Sequence, residues 1–122
     1  MALPPSPIAP ALARAALRAI SDVLPSTTRA DLYLLTSELV ANAVQHSGTR
    51  EPDSVRLAAL PIPSGVRVEV TDAGDGFDPE ILPDWDFREN GMGLSIVDRL
   101  ASRWGVDLGP DRTTVWFEID AA

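Results

Sequence analysis

Hydrophobic positions recur at helical spacing along the first part of the chain. Leu12, Ala16, Leu17, Ile20 and Leu24 fall on one side of a helix, with Pro10 admissible in its first turn and Pro25 as its stop. A second helix is expected to open at Thr28, where Asp31 three residues later completes a capping box, and to end near Gly48. Leu32, Leu35, Leu39 and Ala43 form its apolar arc. Along the margin of that arc Glu38, Asn42 and His46 stand one above another, each drifting about 40° from the last. A carboxylate and an amide at such a margin need partners, because desolvating them without hydrogen bonds or ions costs a few kcal/mol.

The period then changes to two. Val55, Leu57 and Ala59 alternate with Ser54, Arg56 and Ala58, and Pro61-Ile62-Pro63-Ser64-Gly65 turns the chain. Val66, Val68 and Val70 alternate with Arg67, Glu69 and Thr71, which places Asp72 on the valine side, facing inward. Ala73-Gly74-Asp75-Gly76-Phe77 follows, its two glycines permitting close approach to the backbone. Residues 77–90 are acidic, carry Pro79, Pro83, Trp85 and Phe87, and have no period; a loop is expected there. Gly91-Met92-Gly93 opens a third helix, with Leu94, Val97, Leu100, Ala101 and Trp104 as its apolar face and Gly105 as its close. Val106 and Leu108, a turn at Gly109-Pro110-Asp111, and a strand with Val115, Phe117 and Ile119 on one face complete the chain. Residues 1–10 contain four prolines and suit an extended edge segment, free to pair with a partner. This order predicts an α+β two-layer sandwich: a mostly antiparallel sheet covered on one face by three helices, in a single domain spanning 1–122.

Composition narrows the chemistry. With no cysteine, the chain has no disulfide framework and no thiolate metal site, which fits a cytoplasmic location. No run approaches the roughly 18 to 20 apolar residues of a membrane span, so neither a membrane nor a signal peptide is expected. A net charge of −8 opposes a phosphate backbone, so nucleic acid is not an expected partner. The absence of lysine removes the phosphate-loop lysine, the strand lysine of eukaryotic-type kinases and every Schiff-base mechanism.

Three segments now stand together: ELVANAVQHS on a helix, DAGDGF after a strand and GMGLSIVD opening a helix. In that order they resemble the N box, G1 box and G2 box of the GHKL ATPase superfamily, the Bergerat ATP-binding fold. The resemblance implies ATP and Mg2+ as ligands. It makes Asn42 the metal ligand, Asp72 the acceptor for the adenine amino group, and Gly74 and Gly76 the residues that let the ring approach. Gly91, Met92 and Gly93 would offer N–H groups to the phosphates, and residues 77–90 would form an ATP lid whose only basic residue, Arg88, corresponds to an arginine that can reach the γ-phosphate. His46 matches a histidine common at the end of the N box, a position also favoured by the helix dipole. Length, short lid and the ending RWGVD…VWFEI look like the anti-sigma-factor serine/threonine kinases. That likeness implies a homodimer, a sigma factor and a small antagonist protein as partners, and Glu38 as the catalytic base. The alternative is a non-catalytic module in which ATP sets the lid and the complex with a partner is the function.

Overall fold

The computed structural model describes residues 1–46, 55–72, 92–110 and 112–121. Two helices come first: α1 (Ala9–Ser21), with Pro10 in its first turn, and α2 (Ser26–His46). They are preceded by a short strand, β1 (Ala2–Leu3), and followed by β2 (Val55–Ile62) and β3 (Gly65–Asp72). The third helix, α3 (Met92–Leu100), leads into β4 (Arg103–Leu108) and β5 (Thr113–Asp120). All five strands form one antiparallel sheet in the order β1-β2-β3-β5-β4.

The predicted alternation decides which face is covered. Val66, Val68 and Val70 are buried, as are their cross-strand neighbours Leu57 and Phe117, and α2 lies over β2, β3 and β5 on that side. Leu32, Leu35, Leu39 and Ala43 of α2 meet this valine face, so the arc read from the sequence is the one buried. The helices α1 and α2 pack together through Ala13 and Leu17, and the Ser21 hydroxyl and the Tyr33 hydroxyl share a hydrogen bond of 2.7 Å.

The opposite face of the sheet is polar. Arg67 bonds Glu69 at 2.8 Å and Glu118 at 3.0 Å, and Arg103 reaches Glu118 at 2.7 Å and also bonds Asp120. The two arginines hold Glu118 below the usual carboxylate range, chiefly through the bond from Arg103. The Arg67 guanidinium also stacks 4.2 Å above the centre of the Trp116 ring. Gly105 makes room for that ring: a Cβ there would stand 2.8 Å from its atoms.

Three sequence expectations change at element ends. The amino-terminal segment is an edge strand, but its pairing is within the chain, Ala2 opposite Arg56 and Leu3 opposite Val55, because Leu3 is fully buried in the core. Helix α2 opens at Ser26, two residues before Thr28, and the Arg29 N–H already donates to the Pro25 carbonyl at 2.8 Å. The third helix stops at Leu100, and Trp104 and Gly105 belong to β4. Trp104 satisfies both periods. It lies one helical turn beyond Leu100 and Ala101, yet it also begins the alternation Trp104, Val106, Leu108 that β4 uses against Phe117, Val115 and Thr113. Its indole N–H donates to Asp98 at 3.0 Å, tying the strand back to α3.

Candidate functional site

Glu38 and Asn42 lie one turn apart on α2 and are both half-buried, flanked by the buried Leu39, Val40 and Ala43. The polar stripe therefore does run along the margin of the buried face. Helix α2 touches β3, which ends in Asp72, and α3, which begins at Met92, so it is the common neighbour of the elements that carry the three sequence boxes.

Asp72 is the most informative residue. It continues the buried valine row of β3, and its Oδ1 is shielded from solvent without a hydrogen-bond partner among the described residues. Burial raises its carboxyl from the ordinary 3.8 to about 6. An acceptor left this way costs roughly 1 to 3 kcal/mol, and a donor arriving from a ligand removes that cost. The exocyclic amino group of adenine is such a donor; the carbonyl that guanine carries at that position is not. The acceptor here thus fits the amino group at the adenine end of ATP.

Other predicted positions divide by what the structure describes. Met92 and Gly93 form the first turn of α3, where backbone N–H groups have no intrahelical acceptor and can meet an anion. His46 is the last residue of α2. Gly74, Gly76, Arg88, Gly91 and the expected lid at 77–90 lie outside the described residues. Among the described residues no group of three or more His, Cys, Asp or Glu side chains could hold a metal. Mg2+ takes phosphate oxygens and waters together with one or two protein ligands, and the Asn42 side-chain carbonyl has the oxygen chemistry such a ligand needs.

One neighbour of the site escaped the sequence reading. Thr113 stands directly opposite Asp72 on β5, as Val55 does on β2, and is 6% exposed. Extending the alternation Val115, Phe117, Ile119 backwards by one step would have found it. The cross-strand pair puts a hydroxyl-bearing side chain opposite Asp72 on the covered face.

Among the described residues no helix is long and apolar enough to cross a membrane. The sequence profile of the histidine kinase-like ATPase domain matches residues 3–119. An uncharacterized protein of Streptomyces coelicolor is 40% identical over 82 residues, which span 65% of this chain and 75% of that one. The structure of the RsbU and RsbW domains of Rv1364c from Mycobacterium tuberculosis superposes with a TM-score of 0.75 at 25% identity, covering 100% of this chain and 32% of that one. The histidine kinase domain of the Erythrobacter litoralis EL346 blue-light activated histidine kinase gives a TM-score of 0.62 at 29% identity, covering 80% of this chain and 46% of that one. The chain thus spans about a third of the first solved structure and under half of the second.

Proposed function

Because the chain belongs to the histidine kinase-like ATPase domain family, an ATP-binding fold, we propose that it is a regulatory serine/threonine protein kinase of the anti-sigma type. Its substrate would be a small antagonist protein, its regulatory partner a sigma factor, and its working form a homodimer. The observation that carries the reading is the Oδ1 of Asp72 on the helix-covered face, without a hydrogen-bond partner among the described residues, on a strand against which the helix bearing the half-buried Glu38 and Asn42 packs. The RsbW domain in the solved neighbour supports the anti-sigma direction over a histidine kinase.

In this reading Asp72 accepts from the adenine amino group, and Gly74 and Gly76 leave the ring space against the backbone. Gly91, Met92 and Gly93 offer N–H groups to the phosphates at the positive end of α3. Asn42 would contribute a side-chain oxygen to Mg2+, which when bound would neutralise phosphate charge in a chain that has no lysine. Arg88, in the 77–90 lid, adds the remaining positive charge near the γ-phosphate. Glu38 takes the proton from the substrate hydroxyl as that oxygen bonds to the γ-phosphorus and the bond to the ADP oxygen breaks.

Glu38 and Asn42 should fail differently, which makes the pair the test. Asn42→Ala removes a metal ligand and should weaken Mg-ATP binding itself. Glu38→Gln keeps size and removes a negative charge, so ATP affinity should hold while single-turnover transfer to the antagonist falls by about 10² to 10⁴. Full transfer activity in Glu38→Gln would remove Glu38 from the mechanism. A variant that only melts earlier, with its rate intact, would make the residue structural.

A further inference from the structure

The two edges of the sheet are built differently. At one edge β1 covers the start of β2, and the Leu57 N–H donates to the Met1 carbonyl at 2.8 Å. That register turns the peptide groups of Leu57, Ala59 and Pro61 away from β3. Beyond β1 the outward row therefore meets Pro61, which has no N–H to offer. This edge is covered and then blunted.

The other edge is β4. The Gly109 N–H donates to the Arg112 carbonyl at 2.8 Å, and Leu108 stands opposite Thr113. Since the ladder alternates, Arg103, Gly105 and Asp107 bond to β5, while Trp104, Val106 and Leu108 turn their N–H and C=O groups outward. The Ser102 N–H also donates to Glu118, at 2.8 Å, so Ser102 and Arg103 together face one residue in a bulge that fixes the register. Among the described residues no strand pairs with this edge. It contains no proline, and Leu108 at its end is 49% exposed. Its guards are the charges of Arg103 and Asp107 and the bulge at Ser102, so a partner strand must match those charges to pair here.

We propose that β4 is the dimerisation edge: two copies pair β4 against β4, antiparallel, about a two-fold axis at Gly105. The inference takes the homodimer of the preceding section as its premise and names the surface. A two-fold axis perpendicular to the sheet keeps the helices of both copies on one side. Opposed residues must then share a face, and their outward peptide groups must meet. Axes at Trp104, Gly105 and Val106 all satisfy this, so charge selects among them. An axis at Trp104 sets Arg103 against glycine, and one at Val106 sets Asp107 against glycine. At Gly105, Arg103, which already bonds Glu118 and Asp120 of its own chain, meets the partner's Asp107, and Asp107 meets the partner's Arg103, both on the open face where each residue is exposed. Trp104 and Val106 then exchange backbone hydrogen bonds with the partner's Val106 and Trp104. This reciprocal match of a basic and an acidic residue is what an isologous contact requires, and it favours a second copy over a foreign strand.

Sedimentation of the full chain at tens of micromolar tests this with two variants. Val106→Pro removes an outward N–H that takes no part in the β5 ladder. Asp107→Arg sets like charges opposite each other on an exposed position. The wild type should be a dimer, and both variants should be monomers with native circular dichroism, their dimer dissociation constants raised at least tenfold. A monomeric wild type would overturn the homodimer of the proposed function, and this edge with it. A dimeric wild type whose Asp107→Arg variant dimerises unchanged would overturn the β4 edge alone, and that surface variant decides the matter if Val106→Pro does not fold.

Discussion

Asp72→Asn should separate the cost of the site from its use. In the folded protein burial holds the carboxyl at about 6 against 3.8 when unfolded. Between these values the folded state keeps a proton that the unfolded state has released. Stability is therefore greatest below the unfolded value and is lost as pH rises through the folded one. The full shift corresponds to about 3 kcal/mol, and the half-exposed position of the group, screened by solvent, reduces this to about 1 to 2 kcal/mol. Asparagine carries no charge, so at pH 8 the nucleotide-free variant should be more stable than the wild type by about 1 kcal/mol, a rise of about 3 to 6 °C in melting temperature. At pH 4, where the wild-type carboxyl is largely protonated, the gain should disappear. The same substitution removes a charged acceptor for the adenine amino group, worth about 1.5 to 3 kcal/mol, so ATP should bind roughly 10- to 100-fold more weakly. Thermal melts at the two pH values and calorimetric titration with ATP read both effects. A variant less stable at pH 8, or one that binds ATP as the wild type does, would refute the assignment of Asp72.

Other consequences follow from single buried groups. Thr36 is fully buried and its hydroxyl has no hydrogen-bond partner among the described residues, so Thr36→Val should stabilise the protein by about 1 kcal/mol in urea melts; a loss of stability would mean that the hydroxyl is bonded in solution. Tyr33→Phe leaves the Ser21 hydroxyl, 1% exposed, without its 2.7 Å partner, and should cost about 1 to 2 kcal/mol. Adding Ser21→Ala should recover part of that loss, and strict additivity of the two would deny the coupling. Because adenine recognition uses the ionised carboxylate, ATP affinity should be flat from pH 8 to 7 and fall as pH drops through about 6; a pH-independent affinity down to pH 5 would contradict it.

How far the sequence could be read depended on whether one period ruled a segment. Val66, Val68, Val70 and Asp72 alternate without interruption, so both the strand and the inward carboxylate were legible before any coordinates. Leu32, Leu35, Leu39 and Ala43 keep a helical period, and the half-buried Glu38 and Asn42 followed from it. Trp104 is ambiguous in the sequence because helix and strand periods coincide on it, and only pairing with Phe117 decides between them. The amino-terminal pairing was not legible either: that Leu3 faces Val55 of this chain depends on contacts between residues far apart in sequence. Thr113 lay one step beyond an alternation already recognised, and its importance arises only from the register that brings it against Asp72.

The covered face that carries Asp72 on β3, with Asn42 and Glu38 on the helix packed over it, should bind ATP with magnesium and select adenine. Isothermal titration of the purified chain with a non-hydrolysable ATP analogue and Mg2+, repeated with the matching GTP analogue, tests it most directly. Binding in the micromolar range, on the order of −8 kcal/mol, with the guanine analogue far weaker, is the predicted result. No heat of binding with the ATP analogue, or equal affinity for the two, would contradict the account.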